Sequence, residues 1–194
     1  MPSTTAIFLT YSHRAHFDEK DYEGFLRQHD NPFFNGIAGI ARYENWKLVA
    51  PYSAALGFDY YDLIYLDGSR TLEEVWFDAD LTVFRRGWVD LWGYSSFPPP
   101  VVNGQGYVLS GVETPPLAED GKATLTFLDQ GAGLRQPGQW DIEAVMPKHY
   151  AYPQGQAPQP WRTERFDRSV LPGDRLTLAE GSPGIALASR RIAP

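Results

Sequence analysis

The sequence predicts an α+β fold built on an antiparallel sheet, and three observations carry that expectation. The first 112 residues read in the order β-α-β-β-α-β, the split βαβ arrangement, which sets its helices on one face of the sheet. Phe77, Leu81, Phe84, Trp88, Leu91 and Trp92 recur at helical spacing, the stripe of an amphipathic helix lying on a sheet. After Val112 the texture changes. Proline, glycine and glutamine become frequent, notably in YPQGQAPQP at 152–160, and only short β-like runs remain. The chain therefore divides into residues 1–112, an α+β unit, and residues 113–194. The second part is either a degenerate second α+β unit or a β-rich extension packed on the first.

The elements follow in order. Ala6–Ser12 is apolar and β-prone and reads as the first strand. Asp18–His29 reads as a helix, with Asp18 as N-cap and Asp21 where a capping-box acid stands. Tyr22, Phe25, Leu26 and His29 fall at i, i+3, i+4 and i+7, so one face carries all four and is the face to bury. Pro32 is expected to stop that helix. Gly39–Val49 alternates, with Ile40, Arg42, Glu44 and Trp46 on one face and Ala41, Tyr43, Asn45 and Lys47 on the other. Phe58–Leu66 is a third strand, closed by the turn pair Asp67-Gly68. Ser69 is expected to cap one long helix ending at Gly93, with Glu73 and Glu74 near its positive end. The stretch 95–104 reads as a stiff loop, and Tyr107–Val112 as a fourth strand. Beyond it, 123–128, 140–146, 161–166 and 185–192 are β-like. The sheet face opposite the helices needs a cover, either a second copy of the unit or the chain's own tail.

Composition narrows the function classes. Hydrophobic residues make up 43% of the 194, which supports a sizeable core, and the 14% aromatic share hints at a pocket with flat walls. No cysteine is present, which excludes disulfides, thiolate catalysis and cysteine-ligated metal centres. The net charge is −7, with 14 acids against 8 bases in 1–112 and 10 against 9 in 113–194. No basic stripe marks a nucleic-acid partner. No apolar run has the length of a membrane span, and no secretory signal is visible, so a cytoplasmic location is expected. Gly104-Gln105-Gly106 and Gly131-Ala132-Gly133 lack the helix a phosphate cradle needs, and no nucleophile elbow occurs. Histidine, tyrosine and carboxylates are left, a set suited to proton transfer.

His29 is the leading candidate within that set. It lies on the inward stripe at a helix end, beside Asp30 and Asn31, where its protonation can be tuned. The alternative is a core-edge histidine satisfied by a backbone carbonyl. His16 is a second acid/base candidate. His13 and His16, with Asp18 and His29, have loose metal-ligand spacing, but the reading adopted is no metal. Tyr11 ends the first strand, Tyr43 and Trp46 point to opposite faces of the second, and Tyr60 and Tyr61 to opposite faces of the third.

The first 112 residues resemble the dimeric α+β barrel superfamily, and within it the EthD-like proteins. Phe25-Leu26-Arg27-Gln28-His29-Asp30-Asn31-Pro32 followed by Ile37-Ala38-Gly39-Ile40-Ala41-Arg42-Tyr43 carries the likeness: a helix ending in histidine, a short loop with proline, then a "pG(I/L)xxY" entry into strand two. Ala38 stands where proline is common. The resemblance implies a ferredoxin-like unit that pairs, as a homodimer or with a tandem copy, into a barrel holding a small-molecule cavity. It carries over His29 as general acid/base. The open sheet face would then be the barrel interior, with aromatic side chains lining it. The function expected is a cofactor-independent lyase, isomerase or cyclase acting on an aromatic or polyketide-like molecule. His29 is its acid/base, Asp30 and His16 assist, and Tyr11, Asn31, Tyr43, Trp46, Tyr61 and His149 contact substrate. The alternatives are a non-catalytic binding or accessory protein for an aromatic ligand, and a haem- or metal-dependent enzyme or cofactor-free monooxygenase.

Overall fold

The computed structural model describes residues 4–12, 18–49, 58–92, 104–113, 121–128, 137–146, 175–179 and 185–193. Among the described residues, eight antiparallel strands and a helical layer make an α+β fold. The strands are β1 (Thr4–Tyr11), β2 (Ile40–Leu48), β3 (Tyr60–Leu66), β4 (Gly104–Gly111), β5 (Lys122–Leu128), β6 (Gln139–Val145), β7 (Arg175–Ala179) and β8 (Ile185–Ala193). They close in the order β1-β3-β2-β8-β5-β7-β6-β4, with β4 returning to β1. The first half is ordered β4-β1-β3-β2, the split βαβ order, and the second half repeats it as β8-β5-β7-β6. The two half-sheets join at β2–β8 and β4–β6, so pairing with the tail covers both edges of the first half.

Among the described residues, the helices belong to the first half. α1 (Glu19–Phe25) is capped by Asp18, whose carboxylate accepts from the Lys20 N–H at 2.7 Å. One wide π turn, Leu26–Asp30, carries it into α2 (Asn31–Asn35); the Asn31 N–H bonds to the Leu26 carbonyl, five residues back. Pro32 therefore does not stop the helix. It stands in the first turn of α2, and the wide turn before it relieves the clash a proline makes with the carbonyl four residues back. The expected single long helix is two. Thr71, not Ser69, caps α3 (Leu72–Trp76) in a reciprocal box with Glu74, and Asp78 caps α4 (Ala79–Leu91). The Ser69 N–H is taken instead by Asp67 in the turn. Leu81 is buried, and Phe77, Phe84 and Trp88 pack against the core, while Leu91 is exposed. Gly93 and the stretch 161–166 lie outside the described residues.

Two layers of core result. Inside the barrel, Phe8, Trp46, Tyr61, Leu63, Tyr65, Tyr107, Leu125, Phe127, Trp140 and Ile142 pack together. Between sheet and helices lie Ile7, Phe34, Ile40, Tyr43, Ile64, Val75 and Leu81. Ile40 leaves the face it was expected to share with Arg42 because the ladder slips between them. In the second half, only residues 129–138 separate β5 from β6 and 180–184 separate β7 from β8, fewer than the 13 residues of α4.

Gly39 introduces β2 at φ +94, and a Cβ there would stand 2.6 Å from Val75 Cγ2 and 3.1 Å from Arg70 Cβ. Gly39→Ala combines left-handed strain with overpacking. Urea unfolding is expected to register a loss of about 2–4 kcal/mol. A change under about 0.5 kcal/mol, the range of an unconstrained surface site, would contradict this packing.

Candidate functional site: a buried carboxyl pair

The helix-facing side of β1, β3 and β2 carries a polar cluster where apolar packing is the norm. Asn45 and Asp62 are direct cross-strand partners, Tyr43 lies two residues before Asn45 on the same face, and Tyr11 lies diagonal to Asp62. Asp30 enters from the π turn. Relative to a regular helix, the extra residue rotates everything after it by about one position. The buried stripe becomes Tyr22, Leu26, Asp30 and Phe34. His29 is exposed and rests against the Phe25 ring, with centroids 5.7 Å apart. The expectation of an inward histidine is corrected by this turn: Asp30 takes the place foreseen for His29.

Asp30 and Asp62 are 3% and 4% exposed. The Tyr43 hydroxyl bridges them, 2.7 Å from Asp30 Oδ2 and 2.8 Å from Asp62 Oδ2. Asn45 Nδ2 lies 2.9 Å from Asp30 Oδ2, from Asp62 Oδ1 and from the Tyr43 hydroxyl. Tyr11 donates to Asp62 Oδ1 at 2.9 Å. An amide chain fixes Asn45: Asn35 donates to Asn31 Oδ1 at 2.9 Å, and Asn31 donates to Asn45 Oδ1 at 3.2 Å. Behind Tyr11, the Tyr22 hydroxyl shares a hydrogen bond with it and accepts from Trp88 Nε1 at 3.2 Å. Phe34 stacks on Tyr43 with centroids 4.1 Å apart.

A phenol has one proton, so Tyr43 can donate to only one of the two carboxyls it touches. The second contact is a hydrogen bond only if that carboxyl is itself protonated. The electrostatics agree. Burial raises the Asp30 carboxyl to about 6, against the pull of bonds from Tyr43 and Asn45. Burial, then the Asp30 charge, raises Asp62 well above the usual aspartate range. The pair keeps a proton where an exposed aspartate has lost it. Burial and the neighbouring carboxyls push the Tyr11 and Tyr43 phenols up, so both stay protonated donors.

The foreseen site residues are divided between two faces. Tyr11, Asn31 and Tyr43 surround the carboxyl pair. Trp46 and Tyr61 instead stack on each other inside the barrel, with centroids 5.8 Å apart and planes 3° from parallel. His16 and His149 lie outside the described residues. Asp62 and Asn45 are not among the residues the sequence predicts for the site. Their signal was present, as polar residues in strand runs that are otherwise mostly apolar and aromatic. A second polar group, also unforeseen, lies inside the barrel. Glu44 Oε1 stands 3.0 Å from Arg42 Nε and 3.5 Å from Arg191 Nη2, and Oε2 accepts from Trp46 Nε1 at 3.1 Å and from the Tyr65 hydroxyl at 3.3 Å.

Among the described residues, no group of three or more histidine, aspartate or glutamate side chains is placed to hold a metal, and no helix is long and apolar enough to cross a membrane. No family model, curated protein or solved structure matches this chain.

Proposed function

We propose that the protein is a cofactor-independent enzyme of proton-transfer chemistry, a lyase, isomerase or cyclase working on an aromatic or polyketide-like molecule, with Asp30 and Asp62 as its acid/base pair. The observation that carries this reading is the Asp30–Tyr43–Asp62 bridge. Two buried carboxyls in contact give up their protons in separate steps, so the pair supplies a base and an acid at one pH. The ionised member takes a proton from a carbon next to a carbonyl. The protonated member and the Tyr43 hydroxyl donate hydrogen bonds to the oxygen on which charge develops. The acid/base role expected of His29 thus passes to carboxyls. The EthD-like kinship belongs to this proposal, supported by the doubled split βαβ strand order. A non-catalytic binder of an aromatic ligand is the second reading, favoured by the partly buried rings of Phe25, Phe33, Phe84, Trp88 and Trp92 along the helices.

Deuterium incorporation into an aryl 1,3-diketone in D2O tests the reading. The wild-type protein is expected to accelerate exchange, and Asp62→Asn and Asp30→Asn to slow it by roughly 10²–10⁴-fold, the usual worth of a placed acid or base. Equal rates for wild type and both variants would favour the binder.

The same pair sets a pH dependence of stability. Both carboxyls lie above their unfolded values, so the folded state binds more protons than the unfolded one once the pH passes about 4. The stability contributed by the pair is therefore complete below that pH. It is lost as pH rises through about 6 for Asp30 and through the raised range of Asp62. Asp62→Asn is expected to flatten this fall and to raise the urea midpoint at pH 8 above that of wild type. A wild-type midpoint that climbs from pH 4 to 8, and climbs equally in Asp62→Asn, would refute the shared proton.

The homodimer expectation loses its structural motive, because the chain closes its own barrel. Light scattering is expected to return the 21.8 kDa monomer mass. A mass twice that would restore the dimer.

A further inference from the structure

We propose that the π turn Leu26–Asp30 is a register switch that exchanges Asp30 for His29 against Asp62. In a regular helix Tyr22, Leu26 and His29 share the inward face, as their spacing dictates. One extra residue in the turn puts Asp30 there and leaves His29 outside. The two arrangements differ only in where the extra residue sits. If the wide turn moves a few positions toward Asn35, residues 26–29 regain regular bonding. His29 then swings inward and Asp30 swings out by about 100°. Pro32 keeps the extra residue in this stretch. Its ring excludes a regular turn onto the Gln28 carbonyl, and it has no N–H to lose from a wide one. The extra residue can move along but is not expelled.

The cluster supplies the bias between the two registers. Facing Asp30 are Asp62 on β3, Tyr43 and Asn45 on β2, Tyr11 on β1 and Tyr22 on α1, a set with one further acid and no cation. Two basic groups of the adjoining elements, Arg27 and Lys47, are engaged. Arg27 lies 3.5 Å from Glu23 and donates from Nε to the Ile192 carbonyl at 3.1 Å, and Lys47 is held by Glu19 and Glu23. With one proton between the carboxyls, the Tyr43 bridge holds Asp30 inside. When that proton leaves, two negative charges face each other in a buried site, and repulsion favours the outward register. His29, arriving in its place, would meet Asp62 as a neutral donor or as a cation. The bistable element is thus the turn, and the ionisation of the pair is what biases it.

NMR of the full chain tests this, with the His29 ring resonances assigned by loss in His29→Gln and followed from pH 4.5 to 9. The expected result is a histidine exposed at low pH that develops a second environment as pH rises, with cross-relaxation to the Tyr43 ring only in that environment. Asp30→Asn, which removes one of the two charges, is expected to hold His29 outside at every pH. A wild-type His29 that titrates as a single exposed imidazole, with no Tyr43 contact at any pH, would overturn the proposal, and that measurement needs no variant to fold. A Tyr43 contact that persists unchanged in Asp30→Asn would overturn the role of charge repulsion.

Discussion

Replacing Glu44 by Ala is expected to destabilise the protein by about 3–5 kcal/mol, the range for breaking a buried ion pair. Glu44 and Arg191 are each 2% exposed and come from β2 and β8, the two sides of one barrel seam. The carboxylate accepts from Trp46 and Tyr65 and faces Arg42 and Arg191. Alanine takes away the acceptor and leaves the Arg191 charge in the barrel without this counter-charge. Arg42 loses less. It keeps Glu113, 2.7 Å from its Nη1, and the Tyr65 ring, 4.0 Å beneath its guanidinium. Arg42→Ala is therefore expected to cost distinctly less than Glu44→Ala, and Glu44→Gln should fall between wild type and Glu44→Ala. Urea unfolding followed by tryptophan fluorescence measures all three. A Glu44→Ala loss under about 1 kcal/mol, the worth of an exposed pair, would mean that the cluster is solvated rather than buried.

Trp140→Ala is the second large expectation, also about 3–5 kcal/mol, from the emptied volume of a core indole. Trp140 extends from β6 into the barrel, with its ring 5.7 Å from that of Tyr65. Its partner on β4 is Gly111, where a Cβ would stand 2.7 Å from the indole and 2.3 Å from the Gln139 carbonyl. The indole fills space that only glycine leaves open. For a chain of this length the loss corresponds to a melting temperature lower by roughly 10 °C. Both halves of the chain share this core, so wild type and variant are each expected to melt in one transition. Two separate transitions would show that the tail folds on its own and that the barrel does not couple it to the first half.

Much of the first half was legible because its elements are repetitive. The alternation in 40–48 and the apolar run at 60–66 announce strands whatever surrounds them, and Asp18 is a cap by its chemistry alone. The tail strands at 122–128, 139–145 and 185–193 were visible too. β7, five residues long, was not, because RLTLA is too short for a periodicity to stand out. The helix breaks were hidden for a related reason. A stripe such as Phe77–Trp92 survives a local interruption, so its spacing alone does not reveal that Asp78 starts a new helix.

The candidate site shows where local reasoning stops. Counting in steps of a regular helix placed His29 inward, and a single wide turn reversed the choice in favour of Asp30. That turn is held by the bonds Asp30 accepts from Tyr43 and Asn45 and those Asn31 donates to Tyr43 and Asn45, contacts that span 12 to 15 residues. The pairing of Asp30 with Asp62 spans more than thirty positions and exists only because β2 and β3 lie beside the helix. By itself, the sequence determined the strands of the first half and the stretches that turn helical, though not their breaks, together with the absence of thiol chemistry and the toolkit of histidine, tyrosine and carboxylates. Only the tertiary structure decided which of those groups face each other, and that the tail closes the barrel. Burial and charge proximity are properties of packing, and a one-residue change of helical register redistributes them without changing any local preference.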